Sequence, residues 1–281
     1  NALMTTTALR HGLRAMLVLA ALATCPAAAQ QQSAVDVWAT LLRPKYFPDA
    51  TITEIRQVVE LRVPLRAEDT GVVPVSINAR IPQTPERYVR RLYLFVDRNP
   101  KPLAGVFHLT PEMGRADLAM RLRVEQFTDI RVVAELNTGE LFMDTAYTRA
   151  SSGCSAPPPF LELKAARERI GQMRFRTSAA DDGMALGQLM ISHPQVTGLQ
   201  LDQRTRAYIP AEYVTNIAIR FNDRLIMTAE TDISISEDPS FRFFFRPTED
   251  GVVTAEMTDS KGRSFTRTFE VRAAAPAAGP G

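Results

Sequence analysis

Few side chains in this sequence have reactive chemistry. Two cysteines and three histidines are spread over 281 residues. Cys154 stands in "TRASSGCSAPPPF", Thr148 to Phe160, between a Ser/Gly stretch and a run of prolines. A thiolate is a nucleophile that forms S–S bonds and releases them again. Ser151, Ser152, Gly153 and Ser155 are small and leave the sulfur sterically open, and Gly153 frees the backbone. The segment has no hydrophobic period. It therefore predicts an exposed arm, with Ser151, Ser152 and Gly153 as its flexible part. A cysteine without function is usually a small core hydrophobe. An exposed one oxidises, exchanges and cross-links. A lone exposed thiol thus points to a working group, and it leaves open a Cys154-linked dimer.

Other chemistries find no support. There is no G-x-S-x-G elbow, no H-E-x-x-H, no P-loop and no dinucleotide fingerprint after a strand. His108 reads as a strand residue, and His193 as a strand-end residue before the turn-forming Pro194. Neither has ligand spacing with the other or with Cys154, so no metal and no cofactor is expected. The pairs Asp181/Asp182 and Glu237/Asp238 fall in polar breaks and read as solvated turns. Arg87, Arg90 and Arg91 could neutralise an anion near Cys154, but a solvated strand edge is the preferred reading. The expectation is a protein that is not itself an enzyme.

The N-terminus sets the compartment. Arg10 and Arg14 precede the apolar run "AMLVLAALATC", Ala15 to Cys25, which is too short to span a bilayer. Ala27 and Ala29 then give a small-x-small pattern. This predicts a signal peptide over 1–29, cleaved near Ala29, and export to the periplasm, with no membrane span. Cleavage removes Cys25 and leaves Cys154 alone. It also removes Arg10 and Arg14 from the 33 basic residues, which brings them level with the 31 acidic ones. A mature chain of zero net charge and no long basic run gives no reason to expect nucleic-acid binding.

The elements that must position Cys154 are mostly strands. A short helix capped by Ser33 is expected from Ala34 to about Leu42, with Val35, Trp38, Leu41 and Leu42 on one face and Pro44 and Pro48 as breakers. The period then becomes two. "VVELRV", "VVPVSINA", "RRLYLFVD", "GVFHL", "ADLAMRLRV", "IRVVAEL" and "ELFMDTAYT" make about seven strands. A second strand-rich block starts near Gly187, with Phe241, Phe243 and Phe245 alternating into a core or interdomain face. The fold class is all-β: two immunoglobulin-like antiparallel β-sandwich domains joined by a Cys-bearing linker, with a short N-terminal helix. The boundaries are 30–148 for the first domain, 149–186 for a linker with the Gly-Cys arm and a short helix in "LELKAARERIGQ", 187–272 for the second domain, and 273–281 for a disordered tail.

Several segments resemble the two subunits of the SoxYZ sulfur-compound carrier. "PLRAEDTGVVPVSI", "PQTPERYVRRLYLFVDRNP" and "GRADLAMRLRVEQFT" are similar to SoxY. "LMISHPQVTGLQLDQRTRAYIPAEYV" and "DISISEDPSFRFFF" are similar to SoxZ. The resemblance spans roughly residues 36–271 and is closest to the fused SoxYZ-like carriers associated with quinoprotein dehydrogenases, whose Gly-Cys segment is matched by Ser151 to Pro157. It implies two associated immunoglobulin-like sandwiches, a SoxY-like domain pairing internally with a SoxZ-like one. It also implies a cysteine in a mobile arm that carries sulfur intermediates. Cys154 is then the candidate attachment point and Gly153 the arm glycine. The implied partners are a c-type cytochrome or quinoprotein dehydrogenase and sulfur-oxidation enzymes, with thiosulfate chemistry in that family. The sequence departs from the SoxY pattern in one respect: Cys154 is internal, with Pro157, Pro158 and Pro159 on one flank. The function expected is a periplasmic carrier of sulfur-containing intermediates on one exposed cysteine. The alternative is a non-covalent docking module for a quinoprotein dehydrogenase or c-type cytochrome.

Overall fold

Alternating apolar residues build strands almost throughout. The computed structural model describes residues 36–158 and 160–273. The signal peptide expected over 1–29 lies outside them, as does all but the first residue of the tail expected over 273–281.

The chain enters through a helical turn at Trp38–Leu42, wound with π geometry, and continues as α1, Arg43–Tyr46. Pro44 does not stop this helix. It falls at the start of α1, where a missing N–H costs least. Trp38 and Leu42 pack with Phe47, Phe95, Val133 and Met143, whereas Leu41, expected on the same face, points to solvent. Helical winding wider than 3.6 residues per turn rotates Leu41 away from that face.

Eight strands follow in the first half. They are β1 (Ile52–Glu54), β2 (Val59–Arg62), β3 (Val73–Ala79), β4 (Val89–Val96), β5 (Leu103–Leu109), β6 (Leu118–Leu122), β7 (Thr128–Leu136) and β8 (Leu141–Thr148). The Cys154 segment and helix α2 (Phe160–Glu168) come next. The second half contains β9 (Met173–Ala179), β10 (Ala185–Ile191), β11 (Val214–Phe221), β12 (Arg224–Thr231), β13 (Ser240–Phe245), β14 (Gly251–Asp259) and β15 (Ser264–Val271). β9 occupies part of the stretch read from sequence as linker. Its side chains are mostly exposed, so it lacks the apolar alternation that marks a strand in sequence.

The strands form two sheets that run across both halves. The nine-stranded sheet has the order β1-β8-β7-β4-β5-β12-β11-β14-β15, and the six-stranded sheet has the order β2-β3-β6-β13-β10-β9. β5 pairs antiparallel with β12, from Leu109↔Met227 to Gly105↔Thr231. β6 pairs with β13 at Ala119↔Arg242 and Leu118↔Phe243. The two sandwiches therefore meet edge to edge and share one core, which contains Phe107 and Leu118 from the first half and Phe241, Phe243 and Phe245 from the second. Phe107 and Phe241 stand 6.1 Å apart across the join. Pairing closes the edges that two separate sandwiches would expose at this seam.

Candidate functional site

Directly after β8 the chain reaches Cys154, and here the structure departs from the sequence expectation. Cys154 is 0% exposed. It is a free thiol among the described residues, buried at the seam and not carried on an open arm. The reason is a dense set of hydrogen bonds from both halves.

The first half holds the segment through residues 123–125. Ser152 N–H donates to the Glu125 carbonyl at 2.8 Å, and Gly153 N–H donates to the Val124 carbonyl at 3.0 Å. The Glu125 carboxylate accepts from Cys154 N–H at 2.8 Å, from Ser155 N–H at 3.1 Å and from the Ser155 hydroxyl at 2.5 Å. Bonds to an ionised carboxylate are stronger than neutral ones. Asn99, buried in the turn between β4 and β5, orients this seat. Its side chain accepts from Glu125 N–H at 2.8 Å and donates to the Arg123 carbonyl at 2.8 Å.

The second half closes the other side. The Thr197 hydroxyl donates to the Cys154 carbonyl at 2.7 Å, and the Gln200 amide donates to the Ala156 carbonyl at 3.1 Å. Thr197 N–H in turn donates to Gln200 Oε1 at 3.1 Å, which fixes the two residues together.

Gly153 serves close approach in this state, not flexibility. A Cβ at this position would stand 2.1 Å from the Thr70 carbonyl oxygen and 2.7 Å from Val124 N, so no other residue fits without displacing backbone. Ser151 and Ser152 are exposed, and Ser152 takes the positive-φ position of the turn, with φ of 65°. The three residues expected to form a loose arm are therefore held in an ordered turn.

Burial sets the chemistry of the thiol. Desolvation first, and then the nearby Glu125 carboxylate, push the Cys154 pKa up to about 12, against a smaller opposing pull from Arg123. At neutral pH the thiolate fraction is then on the order of 10⁻⁵, which makes the seated sulfur a poor nucleophile.

Arg123 is the other unusual group. Its side chain is 8% exposed, yet the carboxylate nearest it among the recorded ion pairs, Glu237 Oε2, is 3.9 Å away and belongs to a side chain that is 60% exposed. Nη1 donates to the Gly153 carbonyl at 3.2 Å, and Nε has no partner. Burial pulls the Arg123 pKa down, and Glu237, Cys154 and Asp69 pull it back up. Arg123 and Gly153 both line a cavity of about 420 Å³.

The remaining candidates lie elsewhere. His108 Nε2 is 3.0 Å from Glu230 Oε1. His193 is fully buried; its Nδ1 accepts from Gln195 N–H at 3.1 Å, and its Nε2 faces Asp259 Oδ2 at 3.5 Å. No group of three or more His, Cys, Asp or Glu side chains among the described residues is placed to hold a metal. Arg90 and Arg91 share the one carboxylate of Glu135, and Arg87 is paired with Glu140 at 3.2 Å, so all three arginines are engaged in ion pairs away from Cys154. Arg123 and Glu125 stand in the quoted stretch "GRADLAMRLRVEQFT", but only the fold reveals that they face Cys154.

Comparison with known proteins agrees with the two-part layout. The family model described as "Sulfur oxidation protein SoxY" matches residues 43–154, and "Sulphur oxidation protein SoxZ" matches residues 173–270. No curated protein matches the chain. Solved structures give partial likenesses. The sulfur carrier protein SoxY from Chlorobium limicola f thiosulfatophilum is 21% identical, covering 39% of this chain and 88% of that one, with a TM-score of 0.33. A superoxide reductase (neelaredoxin) from Ignicoccus hospitalis is 13% identical over 34% of this chain and 80% of its own, with a TM-score of 0.30. A beta-glycosidase from Bacteroides vulgatus is 11% identical over 76% of this chain and 24% of its own, with a TM-score of 0.23. With a SoxY domain ending on Cys154 and a SoxZ domain following it in one polypeptide, the chain belongs to the fused SoxYZ-like carriers.

Proposed function

We propose that this protein is a periplasmic carrier that holds sulfur-containing intermediates covalently on Cys154, and that the seated thiol is its resting state. The observation that carries this reading is the coincidence of the free thiol with the last residue of the SoxY match. A thiol with a pKa near 12 must leave its seat to react. Opening requires release of the three bonds to Glu125 and the bonds from Thr197 and Gln200. Partner enzymes then act on the opened arm; by family these include sulfur-oxidation enzymes and a c-type cytochrome or quinoprotein dehydrogenase.

Intact-mass spectrometry of protein taken from its native periplasm tests the proposal. Growth on reduced sulfur should give a sulfur-sized or sulfonate-sized adduct, absent in Cys154→Ser. Recovery of nothing but free thiol would end the carrier reading. The burial of the sulfur favours one other reading, a non-covalent docking module. Full partner function in the Cys154→Ser strain would establish that one instead.

A further inference from the structure

The cavity beside Gly153 contains a buried cation without a close counter-ion. Removing a guanidinium from water is costly unless an anion compensates it. Arg123 pays that cost at 8% side-chain exposure, with only the solvated Glu237 at 3.9 Å and with its Nε unpaired. The other carboxylates on the cavity wall form no ion pair with it: Asp69, which accepts from Gly71 N–H at 2.8 Å, acts on the guanidinium only through space, Asp238 accepts from His193 N–H at 3.0 Å, and Glu162 is exposed. A second cation, Arg169, lines the same cavity from the solvent side.

The position of Arg123 connects this vacancy in charge to the arm. Its Nη1 holds the Gly153 carbonyl, one residue from the thiol. Thiolate and guanidinium are also close enough for each to shift the other's pKa.

We propose that this cavity is an oxyanion site, and that its ligand is the sulfonate end of the group tethered to Cys154. The inference rests on the carrier reading and adds a non-covalent contact to it. A planar guanidinium that lines the cavity, with one N–H still unpaired, matches the geometry of a sulfur oxyanion. The site gives a loaded arm a resting place beside the seam, and it discriminates anionic cargo from neutral sulfur.

The test uses the full chain and sodium thiosulfate as probe. By isothermal titration the Cys154→Ser protein should bind thiosulfate. Arg123→Gln should weaken binding at least tenfold, Arg123→Lys should fall between the two, and Glu237→Gln should tighten binding by removing the competing carboxylate. Melting curves recorded without thiosulfate show whether each variant is folded. Tethering is tested by loading wild-type Cys154. Sulfite attacks the Cys154 sulfur of a mixed disulfide with thionitrobenzoate. The new S–S bond carries the sulfonate, and thionitrobenzoate leaves as its thiolate with the electron pair. The loaded protein should no longer bind free thiosulfate. Absence of binding, equal binding by folded Arg123→Gln, or undiminished binding by the loaded protein each overturns the inference. The carrier reading is judged separately, by the native adduct mass. An adduct found together with no thiosulfate binding leaves the carrier standing without this pocket.

Discussion

Two buried charged clusters in this protein are built in opposite ways. In the second half, Asp259 and Glu212 are surrounded by short contacts. Arg263 reaches Asp259 Oδ2 at 2.6 Å and Glu212 Oε1 at 2.8 Å, and Arg167 reaches Glu212 Oε2 at 2.9 Å. Two backbone N–H groups, from Lys261 and Arg263, also point at Asp259 Oδ1. Although burial opposes it, this company holds the Asp259 carboxyl below the usual carboxylate range. The cluster at the arm has no such closure. Glu125 bonds only to the Cys154 segment and to Asn99, Arg123 has no close counter-ion, and the thiol is driven to its neutral form. A cluster whose charges are all paired locally supports the fold. A cluster whose pairing depends on a loop changes its charge balance if that loop is displaced.

The sharpest way to break this contrast is Gly153→Ala. The added Cβ collides with the Thr70 carbonyl, so the segment cannot seat. Once exposed, the thiol should return toward a pKa of about 8.5, and labelling by a disulfide reagent near pH 8 should accelerate roughly a thousandfold. Slow labelling of this variant would show that the seat does not control the sulfur.

Asp259→Ala should do the reverse. Loss of a buried carboxylate with several donors should cost about 3 kcal/mol in denaturant unfolding, with native-state thiol labelling unchanged. Faster labelling would mean that the two clusters are not independent.

Glu125→Gln keeps the shape and removes the charge. Charge-assisted bonds weaken by about 1–2 kcal/mol in total, so labelling should rise about five- to thirtyfold, well short of the glycine variant.

The smallest effect concerns His193. Burial, outweighing Asp259, holds its folded pKa below the ordinary value. The unfolded chain then binds the extra proton first. The contribution to stability is complete above about pH 6.5 and declines as pH falls below it. His193→Gln should flatten the unfolding midpoint between about pH 6.5 and 5, a change of at most about 1.4 kcal/mol per pH unit.

Much of the fold is legible in the residues. "RRLYLFVD" and "FRFFFR" state their strands through an apolar run and an alternation, and β4 and β13 lie where these predict. Cys154 is legible as well, because it is one of only two cysteines in the sequence and stands outside every apolar period. The seat is not legible. Its bonds to Cys154 come from Glu125, 29 residues earlier, and Thr197, 43 residues later, and no local pattern encodes such distant pairings. Gly153 shows the same limit at a single residue. A glycine that follows two serines reads as freedom of φ, whereas here the need is for a missing Cβ. Arg90 and Arg91 could from sequence serve an anion near Cys154, but both turn to one carboxylate, Glu135, on β7.

The join of β5 to β12 has a consequence for biogenesis. Gly105 and Thr231 are partners in the sheet but far apart in the chain, so their pairing must wait for a large loop to close. Thr197 and Gln200 reach the arm only after that closure brings the second half alongside the first. Until the last β-strands have docked, then, the sulfur is open to solvent. Burial of the thiol is therefore a late event in folding, and the speed of sheet closure sets how long the sulfur of the newly made protein stays open to oxidation.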